Sequence, residues 1–124
     1  MDQQGVRKIV THNYPENSII EYSEPGWSYT YNIIKEGSYP PATYLKYTKH
    51  QDGFWIPDNY EIESSWEKSK NRHSVKCIIK YIEKNPVYWV CYGNEYQYQI
   101  KSEKSCSDAA SLYAKVWWLF YYIN

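Results

Sequence analysis

Residues 74–101 read SVKCIIKYIEKNPVYWVCYGNEYQYQIK, and the alternation in this stretch decides the fold. Val75, Cys77, Ile79 and Tyr81 alternate with Lys76, Ile78 and Lys80, which is the two-residue period of a half-buried strand over Ser74 to Ile82. Glu83-Lys84-Asn85-Pro86 interrupts it as a hairpin turn. Val87 to Tyr92 (VYWVCY) is then apolar on both faces, as in a strand covered on two sides. Gly93-Asn94 reads as a tight two-residue turn, because both residue types tolerate positive φ. Tyr96, Tyr98 and Ile100 alternate with Gln97, Gln99 and Lys101 in a third strand. The three form an antiparallel meander.

Downstream the period changes. Ser105 and Asp108 stand as the N-cap and the acidic first turn of a helix. Ala109, Leu112, Tyr113, Val116, Phe120 and Ile123 recur at three- and four-residue spacing, so a helix from about Cys106 to at least Leu119 carries one apolar stripe. The stripe is expected to lie on the face formed by Cys77, Ile79, Tyr81 and one side of Val87 to Tyr92. Trp117, Trp118, Tyr121 and Tyr122 fall off the stripe, and one small sheet cannot cover them all.

Upstream, Trp27 to Ile34 (WSYTYNII) alternates as another strand, and Thr43 to Thr48 (TYLKYT) reads as an edge strand after the Pro40-Pro41 break. Tyr60 to Trp66 fits either a strand or a helical turn, and Glu67 to His73 reads as a charged, exposed connection. Residues 1–26 read as a lead-in closed by the Glu24-Pro25-Gly26 turn, and residues 27–124 as a single domain. The expected architecture is α+β: an antiparallel sheet of about five strands with one C-terminal helix packed across it.

Composition narrows the function classes. At 124 residues the chain holds one core, and 14 basic against 14 acidic residues give no global field toward nucleic acid. Aromatic residues reach 19%, with Tyr 16 and Trp 6 against Phe 2, and amphipathic rings of this kind suit recognition surfaces. A drift toward Ile, Lys, Asn and Tyr codons accounts equally well for the tyrosines. Cys77, Cys91 and Cys106 are too far apart for a metal-ligand motif, and their odd number with the polar start at Met1 to Arg7 suggests a reducing, intracellular setting. Met1 itself favours a complete short protein. Val116 to Ile123 is much shorter than the roughly 20 apolar residues that cross a bilayer, so no membrane partner is expected.

No catalytic constellation is evident. His12, His50 and His73 are scattered, and the Glu61/Glu63 pair reads as solvated strand acids rather than a carboxylate dyad. The expectation is therefore a non-enzyme without cofactor or metal. The densest aromatic cluster, Trp117, Trp118, Phe120, Tyr121 and Tyr122, is the candidate interface for a protein partner or for self-association. An alternative is a nucleic-acid surface using Arg72, Lys76, Lys80, Lys101 and Lys104, with exposed tyrosines as stacking platforms. A further alternative is a small-ligand or glycan surface around Trp27 and Phe54-Trp55.

Between Ile56 and Val116 lie Ile56-Pro57-Asp58-Asn59-Tyr60 with Ser64-Ser65, then Val75-Lys76-Cys77-Ile78-Ile79. Pro86-Val87-Tyr88-Trp89-Val90 and Ser105-Cys106-Ser107-Asp108-Ala109-Ala110 follow. In this order the segments resemble the phenylalanine/tyrosine-rich (FYR) module of chromatin-associated proteins. Asn59 stands where that family usually has glycine, and Cys106 where it has proline. The resemblance implies one α+β unit acting as a non-catalytic interaction module in a nuclear complex.

Overall fold

The computed structural model describes residues 19–24, 27–48, 53–68 and 71–123, with the backbone alone for residues 22, 24, 27, 67, 68, 71 and 117–123. Six strands follow in chain order: β1 (Ile19–Glu24), β2 (Trp27–Lys35), β3 (Tyr60–Lys68), β4 (Asn71–Ile82), β5 (Asn85–Tyr92) and β6 (Tyr98–Ser102). One helix, α1 (Cys106–Ile123), closes the chain. The strands form a single antiparallel sheet in the order β1-β2-β3-β4-β5-β6. The α+β arrangement and the helix on the sheet are as the sequence implies, with six strands in place of five.

The additional strand is β1, which lies within the segment read as a lead-in. Undecided from its pattern alone, Tyr60 to Trp66 is strand, because Tyr60, Ile62 and Trp66 pair with Ile79, Cys77 and His73 and place their apolar sides on one face. The Glu67 to His73 stretch is also strand rather than connection: β3 and β4 extend until Lys68 pairs with Asn71. Thr43 to Thr48 forms no strand. There Tyr44 and Leu45 donate to the Pro41 carbonyl in a turn, and only Tyr47 bridges, to Trp55.

Alternation divides the sheet into two faces. On the helix face Val75, Ile79, Tyr88 and Val90 form the core with Ile56 from the β2–β3 segment and Ala109 of α1. Tyr60, Trp66, Cys77, Tyr81, Tyr92 and Tyr113 pack around them. The far face of β5 is buried as well, at Val87 and Cys91, in accord with the doubly apolar pattern of VYWVCY. Ile33, 1% exposed, marks the end of β2, where the register with β3 shifts between Ile33 and Lys35. Such a bulge bends the strand as it leaves the sheet.

Residues 36–48 and 53–59 fold back on the sheet through one tyrosine. Tyr81 donates its hydroxyl to the Ile56 carbonyl (2.8 Å) and accepts from the Lys46 N–H (3.1 Å), while its own N–H donates to Asp58 Oδ1 (2.9 Å). Ser38 and Asp58 exchange backbone bonds beside it. Gly37 is required there, since its φ is +71° and a Cβ would stand 2.4 Å from the Asp58 carbonyl oxygen. Tyr81→Phe keeps the ring and removes both hydroxyl bonds. It is expected to cost about 1–3 kcal/mol, measured as a lowered urea midpoint; a midpoint equal to the parent would mean the segment is held elsewhere.

The β4–β5 turn is the tight one: Ile82 pairs with Asn85, and Glu83 and Lys84 both have positive φ. The β5–β6 turn is not. Tyr92 pairs with Tyr98 rather than with Glu95, leaving residues 93–97 as a five-residue loop with positive φ at Gly93 and Tyr96. This pairing sets Tyr98 directly beside Tyr92.

Candidate functional site

The β6–α1 joint fixes where the helix lies. Ser105 Oγ accepts from the Asp108 N–H (3.0 Å), the expected N-cap. The Asp108 carboxylate does not return to Ser105, as it would in a reciprocal capping box. It accepts from the buried Ser102 hydroxyl (2.7 Å), whose oxygen in turn accepts from the N–H groups of Lys104 (3.0 Å) and Ser105 (3.4 Å). Ser102 relays the cap from the end of β6. Among the described residues the α1 backbone lies closest to β5 and β6, and Ala109 shares the core cluster with Val75 and Ile79 of β4.

Burial along the apolar stripe falls steadily. Ala109 is 1% exposed, Leu112 and Tyr113 are half-buried, and Val116 is 37% exposed. Val116 is therefore not the core position that its spacing suggests. The Tyr113 ring meets Tyr92 at 5.3 Å, and Tyr92 meets Tyr98 at 5.4 Å with a 33° tilt. Tyr98 at the sheet edge is 55% exposed. These three rings form a ladder from the helix to the edge strand. The two-residue turn read from Gly93-Asn94 concealed it, because that register sets Glu95 rather than Tyr98 beside Tyr92. Of the sequence-predicted interface, Trp117, Trp118, Phe120, Tyr121 and Tyr122 belong to the backbone of α1, and their side chains lie outside the described residues.

The predicted basic strip falls on the far face. Arg72, Lys76 and Lys80 share that side of β4, Lys101 shares it on β6, and Lys104 lies off the sheet in the β6–α1 link. Acids and hydroxyls from β2 and β3 are interleaved with them. Arg72 donates to Ser65 Oγ (2.6 Å) and Thr30 Oγ1 (3.3 Å). Lys76 Nζ is 3.5 Å from Glu61 and stands 4.9 Å over the Tyr96 ring. Tyr96 in turn donates to Glu63 (2.5 Å) and lies 3.0 Å from the Ser74 hydroxyl. Burial, and then the Glu63 carboxylate, raise the Tyr96 pKa. Thus the Glu61/Glu63 pair, read as solvated strand acids, offsets the charge of the strip. Beside them the Asn32 Oδ1 is buried without a hydrogen-bond partner.

The third candidate, around Phe54-Trp55, is an aromatic knot in the β2–β3 segment. Tyr39 and Tyr47 stand against Trp55 at 5.4 and 6.3 Å, with interplanar angles of 86° and 63°. These are edge-to-face contacts, in which the rings pack on one another. Trp55 Nε1 is buried there without an acceptor. The Trp27 side chain lies outside the described residues, so nothing joins it to this knot.

Among the described residues no group of three or more His, Cys, Asp or Glu side chains could hold a metal ion, and no helix is long and apolar enough to cross a membrane. In comparisons with known proteins, no family model, no curated protein and no solved structure matches the chain.

Proposed function

We propose that the protein is a non-enzymatic interaction module that engages a protein partner, or a second copy of itself, through the distal half of α1. The observation that carries this reading is the loss of burial along the helix stripe, from 1% exposure at Ala109 to 37% at Val116. Tyr113 already meets Tyr92, the last residue of β5. The helix continues from there to Ile123, about 15 Å further at 1.5 Å per residue. An aromatic run placed where a helix outlasts its own strands is suited to burial against another surface.

Chemistry at the thiols supports the non-enzymatic part. Cys77 is pushed up to about 11 by burial, with Cys106 and Cys91 adding to it, and Cys91 is raised by burial as well. Thiols held protonated in this way are poor nucleophiles at neutral pH. A nuclear, chromatin-associated setting rests on the FYR-like order of segments alone, and an intracellular one on the odd, widely spaced cysteines. The nucleic-acid reading has less support, because Glu61 and Glu63 oppose the lysines that it needs.

Self-association through the helix is tested by size-exclusion chromatography with light scattering. The parent is expected to exceed monomer mass at high concentration, and Trp118→Lys to lower that mass. A parent that stays monomeric and soluble at high concentration would remove self-association from the proposal, and a Trp118→Lys variant with unchanged mass would exclude the helix as its surface.

A further inference from the structure

The sheet ends in two outer strands, β1 and β6, and among the described residues neither pairs with a further strand. Each presents a row of backbone N–H and C=O groups outward. With every step of the meander antiparallel, β1 and β6 run in opposite directions. Two copies set side by side in the same orientation therefore bring β6 of one against β1 of the next as an antiparallel pair. Both helices then lie on the same side of a continuous sheet.

A charge on an outer strand ordinarily discourages such pairing, and Lys101 on the five-residue β6 is a guard of this kind. The other edge changes its meaning. Glu21 on β1 and Lys101 on β6 are both exposed, and the register places both on the far face. Setting Glu21 opposite Lys101 also sets Ile20 opposite Ser102 and Ser23 opposite Gln99, with no like charges facing. A two-fold pairing of β6 with itself instead places two Lys101 residues directly or diagonally across on one face. A two-fold pairing of β1 does the same with Glu21. Cross-strand charge pairs are close enough for these differences to select the partner.

We propose that the sheet edges form a head-to-tail contact between copies of this chain, β1 of one against β6 of the next, selected by the Glu21–Lys101 pair. The contact does not use the distal half of α1. Because the two surfaces differ, the assembly is open-ended rather than closed at a dimer.

Sedimentation equilibrium of the full chain, with circular dichroism to verify folding, tests this. The mass of the parent is expected to rise with concentration past that of a dimer. Glu21→Lys and Lys101→Glu should each weaken association about fivefold, the effect of turning one attractive cross-strand pair repulsive. The double variant should regain the parent behaviour, and so should an equimolar mixture of the two single variants. Monomer mass at all concentrations, single variants that associate like the parent, or a double variant that fails to recover would each overturn the contact. Charge variants without effect alongside a monomeric Trp118→Lys would overturn the edge and leave the helix surface standing. The opposite pattern would support the edge and remove self-association through the helix.

Discussion

Raising the pH from about 8 to about 11 is expected to remove a substantial share of the stability of the fold, because its core contains groups that must stay neutral. Cys77 is pushed up to about 11 from 9.0, mainly by burial. Tyr60 and Tyr88 are pushed up to about 12 from 10.0, again by burial first, with Cys106 next. Tyr39, Tyr81, Tyr113 and Cys91 are raised in the same direction. In each case the folded value lies above the unfolded one. The unfolded chain therefore releases protons first, and stability is intact below pH 9 and declines as pH rises toward about 12. A gap of two pH units corresponds to about 2.7 kcal/mol for a group fully withdrawn from water. Cys77 approaches that figure. The tyrosines contribute less per ring, since solvent screens their partly exposed hydroxyls. Against a total of about 5–15 kcal/mol, these terms remove a substantial share of the stability. The urea midpoint should fall steeply above pH 9, and Cys77→Ala should delay the onset of the fall. Equal midpoints at the two ends of the range would contradict the burial assigned to these groups.

Ser102→Ala is expected to cost about 1–3 kcal/mol, more than most serine truncations. One hydroxyl serves three partners: it donates to the Asp108 carboxylate and accepts from the N–H groups of Lys104 and Ser105. The Ser105 cap stays in place, and leaving a carboxylate and two amides without their partner costs about 1–3 kcal/mol. Ser102 is 4% exposed, so water cannot readily replace the hydroxyl. A lowered urea midpoint, with helical circular dichroism lost earlier than the sheet signal, would establish the relay. A cost under about 0.5 kcal/mol, ordinary for a surface change, would show that Ser105 caps the helix unaided.

The elements and the joints between them were legible to different degrees. The parts of β2, β4 and β5 at residues 27–34, 74–82 and 87–92 and the helix from Cys106 follow from alternation, from the change of period and from the Ser105 cap. Thr43 to Thr48 has the residue types of a strand but folds as a turn on Pro41, so β propensity there yields to local backbone bonding. The candidate surfaces divide in the same way. The lysines of β4 share one face, as their spacing requires, yet Glu61, Glu63 and Tyr96 reach them only across the sheet. Nor does the regular recurrence of Val116 reveal that it is left exposed.

By itself the sequence determined the central parts of β2, β4 and β5, which of their residues share a face, and where the helix begins. Periodicity and capping act between residues a few positions apart, so they are written locally. Tertiary structure alone decided that Tyr92 meets Tyr98 across five loop residues and that Tyr81 pins Lys46, Ile56 and Asp58. It also decided that Ser102 relays the cap and that the far-face lysines lie among acids. Each of these depends on the register between strands or on a bond reached across a turn, and many registers satisfy the same alternation until the side chains pack.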